Sequence, residues 1–307
     1  MLHSGLRDRL FGAPGTWSIR RCADAGCRAG WLDPQPTAGE IGKLYATYYT
    51  HAPEANAATA ELPTTTDNDS GSRKAQLKKW LARLMPWRRA QFKTGLFHLE
   101  DLPPGRLLEV GCGAGQFLRQ AGAAGWKAEG IDFDEKAVNA ANQIPGVTAR
   151  VSDLANAGYP PASFDAIVMN NVFEHLQEPA AVLGQAKRLL KDGGRLVLIT
   201  PNLDSTGHAI FGPDWRGLET PRHLILYAPR TLARVAKEAG FVRVHAFAAL
   251  VDMLPFMIEL SSQIAERSGR TPPKAGRHAG KISALKTLIG IGRGEFAVLV
   301  AEKAATA

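Results

Sequence analysis

A glycine-rich turn joins a short apolar stretch to a helical pattern near the middle of the chain. Residues 107–110 have the composition of a buried strand, and Gly111, Gly113 and Gly115 follow them at alternate positions. Glycine has no Cβ and accepts positive φ at little cost, so a ligand can approach the backbone of such a turn closely. The helix that is expected to start at Gln116 adds unpaired N–H groups in its first turn. The arrangement predicts a ligand site at the end of the strand.

The residue types around the turn separate the possible ligand classes. The dinucleotide pattern G-x-G-x-x-G needs a glycine where the chain has Gln116, and no Gly-Lys-Ser/Thr phosphate loop is present. What remains is E-x-G-x-G-x-G, with Glu109 inside the strand. This pattern resembles the first motif of the class I S-adenosylmethionine (SAM) methyltransferases. SAM has cationic groups and no phosphate, which suits an acid at the strand end. The alternative is a tight structural turn, which any α/β protein can contain.

Two aspartates follow the next predicted strand, residues 127–131. Asp132 lies about 20 residues beyond the turn, where an acid meets ribose hydroxyls in nucleotide-binding βαβ units. A carboxylate can accept hydrogen bonds from both hydroxyls. Asp134 has the residue type of an N-cap for the following helix. We therefore assign Asp132 to the ligand and Asp134 to the helix.

The methyltransferase resemblance extends to further motifs in the order of the family. After the strand predicted at 147–151 it implies that Asp153 faces the adenine amino group, although a turn-forming aspartate would look the same. FDAIVM at 164–169, EHL at 174–176 and LLKDGGRLVLITPN at 189–202 are also typical of the family. The resemblance covers residues 103–250 and 294–303. The cofactor-binding residues that it implies are Glu109, Gly111, Cys112, Gly113, Gly115, Asp132, Phe133, Asp153, Leu154 and Asn170.

The fold class implied by the resemblance is α/β: a Rossmann-like, seven-stranded, mostly parallel sheet with an antiparallel last strand and helices on both faces. An N-terminal extension and helical insertions add to it. In such sheets ligands lie at the carboxyl ends of the strands. A turn is expected at 191–194, before the fifth strand. The strands are expected at 107–110, 127–131, 147–151, 164–169, 195–199, 242–247 and 296–301.

Residues 202–227 follow the fifth predicted strand and are rich in polar and aromatic groups, which suits a lid over the methyl acceptor. Trp215 is predicted to cover the acceptor, and Arg216 and Arg222 to hold an anion. A hydroxyl acceptor needs a general base, and His223 and His175 are the candidates because histidine titrates near neutral pH. Each could instead be a hydrogen-bonded structural histidine.

No catalytic metal is expected. Some quinone-pathway members of the family bind a metal through the positions that correspond to Asn171, Glu174 and His175. The chain keeps Glu174 and His175 but has Asn171 in place of an acid. This substitution argues against a required metal and against a role in quinone biosynthesis.

The N-terminal block contains one cysteine pair, Cys22 and Cys27, with the spacing C-x4-C. The block resembles a segment found in one methyltransferase group, in which a cysteine-rich ribbon precedes P-x-P…Y…YY. A structural zinc needs four ligands, and the other pair expected upstream is missing. We therefore describe the block as a degenerate ribbon. The matching positions after the pair are Pro34, Pro36, Tyr45, Tyr48 and Tyr49.

Composition divides the chain into four regions. The basic helical region either packs on the catalytic domain or rests on anionic lipid. The regions are the N-terminal segment 1–50, a flexible linker 51–72, the basic amphipathic helical segment 73–102, and the methyltransferase domain 103–307 with lid insertions 202–227 and 252–293.

The composition also limits location and partners. The chain has 307 residues, a formal net charge of +8 and no apolar run of membrane-spanning length. No signal-peptide core is present, so a cytoplasmic location is expected, with peripheral contact to the inner face of the membrane as an open alternative. The charge suits an anionic substrate, nucleic acid or an anionic membrane surface equally.

The expected function is SAM-dependent methyl transfer to a small-molecule, sugar or lipid-linked acceptor, at oxygen. A nucleic-acid methyltransferase would explain the charge, but the N-P-P-Y or D-P-P-Y signature of base-amine enzymes is missing, since the fourth strand runs into MNNVFEHL. A SAM-binding protein without catalytic activity is the second alternative. The intact glycines and Asp132 argue against it.

Zinc analysis tests the interpretation of the N-terminal block. Because only Cys22 and Cys27 are available as ligands, purified protein should contain well under one zinc per chain. A stoichiometric zinc whose chelation unfolds the protein would contradict this prediction.

Overall fold

The computed structural model describes residues 1–45, 97–249, 254–278, 282 and 293–305. The predicted linker 51–72, most of the basic segment 73–102 and part of the insertion 252–293 lie outside the described residues. So do Tyr48 and Tyr49.

Strands make up the centre of the molecule and one flank. Within the described ranges they are β1 (His3–Leu6), β2 (Trp17–Arg21), β3 (Gly30–Asp33), β4 (Arg106–Val110), β5 (Lys127–Asp132), β6 (Thr148–Val151), β7 (Phe164–Asn170), β8 (Leu190–Pro201), β9 (Ile225–Leu226), β10 (Phe241–Ala249) and β11 (Phe296–Lys303).

Helices connect most of these strands. No helix in the described part of the chain is long and apolar enough to cross a membrane. The α-helices with described bounds are α1 (Ala38–Tyr45), α2 (Gln116–Ala123), α3 (Glu135–Ala141), α4 (Pro179–Leu189), α5 (Thr206–Phe211), α6 (Pro229–Glu238) and α7 (Leu254–Arg267).

A seven-stranded sheet has the order β10-β11-β8-β7-β4-β5-β6. Strands β8, β7, β4, β5 and β6 pair in parallel, whereas β11 is antiparallel to both of its neighbours. Consecutive residues of β7, such as Ile167 and Val168, are fully buried because both faces of the sheet are covered. This topology confirms the predicted Rossmann-like fold.

Successive side chains of a strand point to opposite faces of the sheet, and helices cover both faces. Leu107 of β4 belongs to the same buried cluster as Leu118 of α2. The next residue, Leu108, belongs to a second cluster, with Leu183 of α4 and Leu232 of α6. The sheet therefore separates two cores, and its carboxyl edge is left for the connecting loops.

A smaller antiparallel sheet has the order β1-β2-β3-β9. Its first three strands come from the N-terminal segment, but β9 belongs to the segment 202–227. Trp31 pairs with Ile225 and Gly30 with Leu226. The N-terminal segment and the predicted lid therefore share one sheet.

Ion pairs also connect the N-terminal segment to the larger domain. Arg21 of β2 pairs with Asp204, and Asp24 pairs with Arg234 of α6. The pair of Asp24 is exposed and contributes little to stability. The pair of Asp8 with Arg222, at 2.8 Å, is buried. Losing one partner of a buried pair leaves an uncompensated charge, so this contact matters more.

The fifth strand of the sheet is longer than predicted. β8 begins at Leu190, which pairs with Phe164, and the regular parallel register resumes at Arg195 opposite Ala166. The predicted turn at 191–194 is present as an irregularity inside the strand. Sequence pattern marks the turn but not the pairing on both sides of it.

Two histidines form a contact between β1 and α5. The Nε2 atoms of His3 and His208 lie 2.8 Å apart. Nδ1–H of His208 donates to the carbonyl oxygen of Leu203 at 2.6 Å, so Nε2 of His208 accepts from His3. Burial lowers the pKa of both rings, that of His208 to about 4. Both rings are therefore neutral at pH 7.

We expect the folded state to lose stability as the pH falls below 6.5, the ordinary pKa of histidine. A histidine whose pKa is lowered by folding binds a proton more readily in the unfolded state, so acid favours unfolding. For His208 the loss should approach about 1 kcal/mol for each pH unit until the pH reaches its folded pKa. Urea denaturation as a function of pH measures this slope.

The variant His208→Gln should reduce that pH slope. The exposed His245 provides the matched control, and His245→Gln should keep the wild-type slope. An unchanged slope in His208→Gln would show that other groups cause the acid sensitivity.

Candidate functional site

The glycine turn lies at the carboxyl end of β4. Gly111 has a φ of 73°, and a Cβ there would lie 2.3 Å from Cγ2 of Val172. The N–H groups of Gly111 and Cys112 donate to the carbonyl oxygen of Ile131, at 2.7 and 3.1 Å. A Cβ on Gly113 would meet no described atom within 4 Å. The turn is therefore tightly held at Gly111 and accessible to a ligand at Gly113.

Asp132, at the end of β5, holds the turn from the neighbouring strand. Its Oδ2 accepts the N–H of Gly113 at 2.8 Å, and its Oδ1 accepts the N–H of Asp134 at 3.0 Å. Each carboxylate oxygen can accept more than one hydrogen bond, so ligand hydroxyls can bind here as well. Asp134 accepts from the N–H of Lys136 at 2.9 Å as the N-cap of α3, which confirms its predicted role.

Glu109, in β4, carries a buried carboxyl group near Asp132. The residue is 4% exposed, and within the described ranges its Oε2 has no hydrogen-bond partner. Burial, and after it the charge of Asp132, raises the pKa of Glu109 well above its ordinary value. A cation bound beside Glu109 would offset both effects. The site therefore favours a positively charged ligand group.

Phe133 and Asp153 lie beside these strand ends. Phe133 is 68% exposed, whereas most large apolar side chains of the protein are buried. Asp153 accepts the N–H of Asn156 at 2.8 Å, and this contact lowers its pKa. Asp153 thus forms the turn that was the alternative to an adenine contact. Its contact with a cofactor stays a prediction.

The remaining predicted cofactor residues are mostly enclosed. Cys112 and Leu154 are buried. Burial raises the pKa of the Cys112 thiol to about 12, so this cysteine is not a nucleophile at neutral pH. Asn170 ends β7 and accepts from Nδ2 of Asn171 at 3.2 Å. Gly115, with a φ of 78°, immediately precedes α2.

The two candidate bases lie against each other. The ring centroids of His175 and His223 are 4.7 Å apart and the rings are inclined at 75°. Nδ1 of His175 lies 3.1 Å from the carbonyl oxygen of Arg222, and Nδ1 of His223 lies 2.8 Å from that of Gly217. A carbonyl oxygen can only accept, so both rings carry a proton on Nδ1. The lone pair of each neutral ring is then on Nε2.

The two rings differ in exposure and in neighbours. His175 is partly exposed, whereas His223 is 3% exposed. Nε2 of His223 lies 3.4 Å from Oε2 of Glu219 and 3.8 Å from Oε1 of Glu174. Burial lowers the pKa of both histidines, that of His223 to about 3, although Glu219 opposes the shift. His223 is thus neutral and enclosed, while part of His175 remains exposed.

Of the two carboxyl groups beside His223, one is protonated and the other is ionised. Burial raises the pKa of Glu174 to about 8, so it carries its proton at pH 7. Burial alone would also raise the pKa of Glu219, but Arg216, His223 and Arg222 hold it far below its ordinary range. We call Glu174, His175, Glu219 and His223 the histidine cluster.

Tyr45, the last residue of α1, connects the cofactor residues to this cluster. Its hydroxyl oxygen lies 2.9 Å from Nδ1 of His175 and accepts the same N–H that the carbonyl oxygen of Arg222 accepts. Its ring makes an edge contact with Phe133 at a centroid distance of 5.7 Å. Tyr45 belongs to the N-terminal motif P-x-P…Y…YY, whose residues are not among the predicted site residues. The motif was a signal for it, but no local pattern relates residue 45 to residue 175.

The arginines that were expected to hold an anion already pair with carboxylates. Arg216 pairs with Glu219, and Arg222 pairs with Asp8 at 2.8 Å and with Glu219 at 3.3 Å. Trp215, expected to cover the acceptor, is buried, and its Nε1–H donates to the buried carboxylate of Glu295 at 3.1 Å. These side chains are therefore already paired within the protein, and their contact with an acceptor stays a prediction.

One group in the described part of the chain could bring metal-ligand atoms together: Glu174, His175 and His223, with atoms within 4.8 Å of one another. The Nδ1 protons of both rings are hydrogen-bonded to carbonyl oxygens, so only the Nε2 atoms could coordinate. This geometry does not test the expected absence of a metal, which stays a prediction.

The family that matches this chain and two of its curated relatives are methyltransferases. The family described as a methyltransferase domain matches residues 71–246. A ubiquinone biosynthesis O-methyltransferase of Thiobacillus denitrificans is 31% identical over 149 residues, which cover 44% of this chain and 63% of that protein. The protein of that name in Xanthomonas oryzae pv. oryzae is 29% identical over 181 residues, covering 56% and 74%.

A solved structure with a similar fold is that of the (4+2)-cyclase SpnF. It has a TM-score of 0.53 and 20% identity, and the match covers 89% of this chain and 98% of that one. At this identity the likeness concerns the fold alone. The chain spans 63% and 47% of the length of the first two curated relatives that it matches, less than two thirds in each case.

Asp132→Ala should weaken the binding of SAM and of S-adenosylhomocysteine by about 1–3 kcal/mol, because hydrogen-bonding groups of the ligand and the turn lose their partner. Calorimetry with the folded variant measures this. Asp134→Ala is the matched control, since loss of the N-cap should lower stability by about 0.5–2 kcal/mol without changing affinity. Wild-type affinity in Asp132→Ala would remove this residue from the site.

Proposed function

Because this chain belongs to the methyltransferase domain family, and within it to the class I SAM-dependent type, we propose that it transfers the methyl group of SAM to a hydroxyl oxygen of a small-molecule acceptor. The observation that carries the proposal is the pair of acids at the glycine turn: Asp132 binds Gly113 while Glu109 has a buried, unpartnered oxygen among the described residues. The O-methyltransferase relatives support oxygen as the attacking atom.

The residues at the turn fit SAM. The unpartnered oxygen of Glu109 suits a cationic group, and the space at Gly113 allows a ligand to lie against the backbone. Asp132 can accept from ribose hydroxyls. Phe133 offers an exposed aromatic face to the adenine.

When bound, SAM supplies a methyl group that is activated by the positive sulfonium. The acceptor hydroxyl would lose its proton as it takes up the methyl group, so the chain must supply a base for that proton. His175 is the better-supported base, because it is partly exposed and its Nδ1–H donates to Arg222. Its Nε2 is then the proton acceptor.

The position of His223 supports the role of a hydrogen-bonded structural histidine rather than that of a general base. The ring is buried, its Nδ1–H donates to Gly217, and its Nε2 faces Glu219 and Glu174. A base with so low a pKa has little driving force for proton transfer at neutral pH. In this proposal His223 braces the segment 202–227 through its contacts with Gly217 and Glu219.

The acceptor itself is tested by methylation with radiolabelled SAM. The probes are catechol, methyl glucoside, a polyprenyl-phosphate-linked sugar in vesicles, and tRNA. Label on a hydroxyl oxygen of catechol or of either sugar supports the proposal, and the probe that is labelled separates phenolic, free-sugar and lipid-linked acceptors. Label on tRNA would favour a nucleic-acid methyltransferase. SAM binding without transfer to any probe or to a metabolite extract would favour the binding protein.

His175→Ala should lower kcat by about 10²–10⁴-fold, because the acceptor proton loses its base. The affinity for S-adenosylhomocysteine should stay at the wild-type value. His223→Ala is the matched variant and should lower stability or raise KM while kcat is largely kept. The opposite pattern, with kcat lost only in His223→Ala, would make His223 the base.

A further inference from the structure

We propose that Asp8, in the N-terminal segment, is a positioning residue for methyl transfer: it holds Arg222, and Arg222 fixes both rings of the histidine cluster. The inference rests on the proposed function. Asp8 lies 214 positions before Arg222, so it comes to this site only through the tertiary structure.

Asp8 is the centre of a compact N-terminal loop. Its Oδ1 accepts the N–H groups of Leu10 and Phe11 at 3.1 and 2.9 Å. Its Oδ2 accepts the N–H of Ala13 at 3.1 Å and a guanidinium N–H of Arg222 at 2.8 Å. The side chain is 3% exposed. The backbone of the loop thus holds the carboxylate in position beside Arg222.

Arg222 contacts the histidine cluster in two ways. Its carbonyl oxygen accepts from Nδ1–H of His175 at 3.1 Å, which sets the tautomer of that ring. Its Nε lies 3.3 Å from Oε1 of Glu219, whose Oε2 lies 3.4 Å from Nε2 of His223. A displacement of Arg222 would therefore reach both histidines.

Asp8 and Glu219 are the carboxylates that pair with Arg216 and Arg222 in the described part of the chain. All four side chains are nearly buried, at 1–6% exposure. Without the charge of Asp8, Arg222 would draw Glu219 away from His223. Glu219 has a φ of 33°, which a residue other than glycine keeps only when its surroundings hold it.

An ion pair with a purely structural role would connect the N-terminal sheet to the domain without affecting the rings. Asp204 has that character, since it pairs with Arg21 of β2 and Arg230 of α6 rather than with the cluster. Asp204→Asn is therefore the matched control for Asp8→Asn. Both variants remove one carboxylate charge from contacts between the same two parts of the chain.

The test uses the full chain labelled with ¹⁵N-histidine. Spectra of the imidazole nitrogens report the tautomer and surroundings of each ring, and calorimetry reports the affinity for S-adenosylhomocysteine. Asp8→Asn should displace the signals of His175 and His223 and leave the affinity unchanged. It should lower kcat by about 10–100-fold on the probe that the wild-type protein methylates, because small misplacement of a catalytic group is costly. Asp204→Asn should leave the ring signals and kcat at wild-type values.

Wild-type ring signals in folded Asp8→Asn would overturn the proposal, and so would equal displacement in Asp204→Asn. If the wild-type chain transfers label to no probe and to no component of a metabolite extract, the proposed function fails, while the ring signals still show whether Asp8 positions the two rings. Should Asp8→Asn not fold, the double variant Asp8→Asn/Arg222→Gln removes both buried charges and should fold. Its ring signals should remain displaced, and wild-type signals there would overturn the proposal.

Discussion

Gly111 can carry no side chain, because a Cβ there would lie 2.3 Å from Cγ2 of Val172. This constraint brings the ends of β4 and β7 together, and the bond from Gly113 to Asp132 brings β5 to the same point. Three parallel strands thus end around one turn. No described atom lies within 4 Å of a Cβ placed on Gly113, and the proposed cofactor site uses that space.

The histidine cluster is assembled from parts of the chain that are far apart. His175 follows β7, His223 and Glu219 come from the segment 202–227, and Asp8 comes from the N-terminus. Pairing of β9 with β3 joins the last two segments in one sheet. The N-terminal strands are therefore structurally part of the region that contains the histidine cluster. A boundary drawn from composition at residue 50 describes the chain but not this packing.

Two buried glutamates illustrate how surroundings assign chemistry to one residue type. Burial raises the pKa of both Glu109 and Glu174. Glu109 lies beside a second acid and near an accessible turn. A cationic ligand group there would lower the pKa of Glu109 and so restore its negative charge. Glu174 faces a buried neutral histidine at 3.8 Å, where a protonated carboxyl group is compatible with the lone pair on Nε2. One acid suits ligand binding and the other suits support of the base.

The sequence by itself determined the fold class, the glycine turn, the location of Asp132 and the N-cap at Asp134. These features depend on residues that are neighbours in the chain, so strand, turn and helix patterns contain them. Only the tertiary structure decided that Arg222 pairs with Asp8, that Tyr45 reaches His175, and that β9 completes the N-terminal sheet. Each of these contacts joins residues more than a hundred positions apart. Contacts between residues so far apart depend on how the whole chain packs. The spacing of residues within a motif contains no information about that packing.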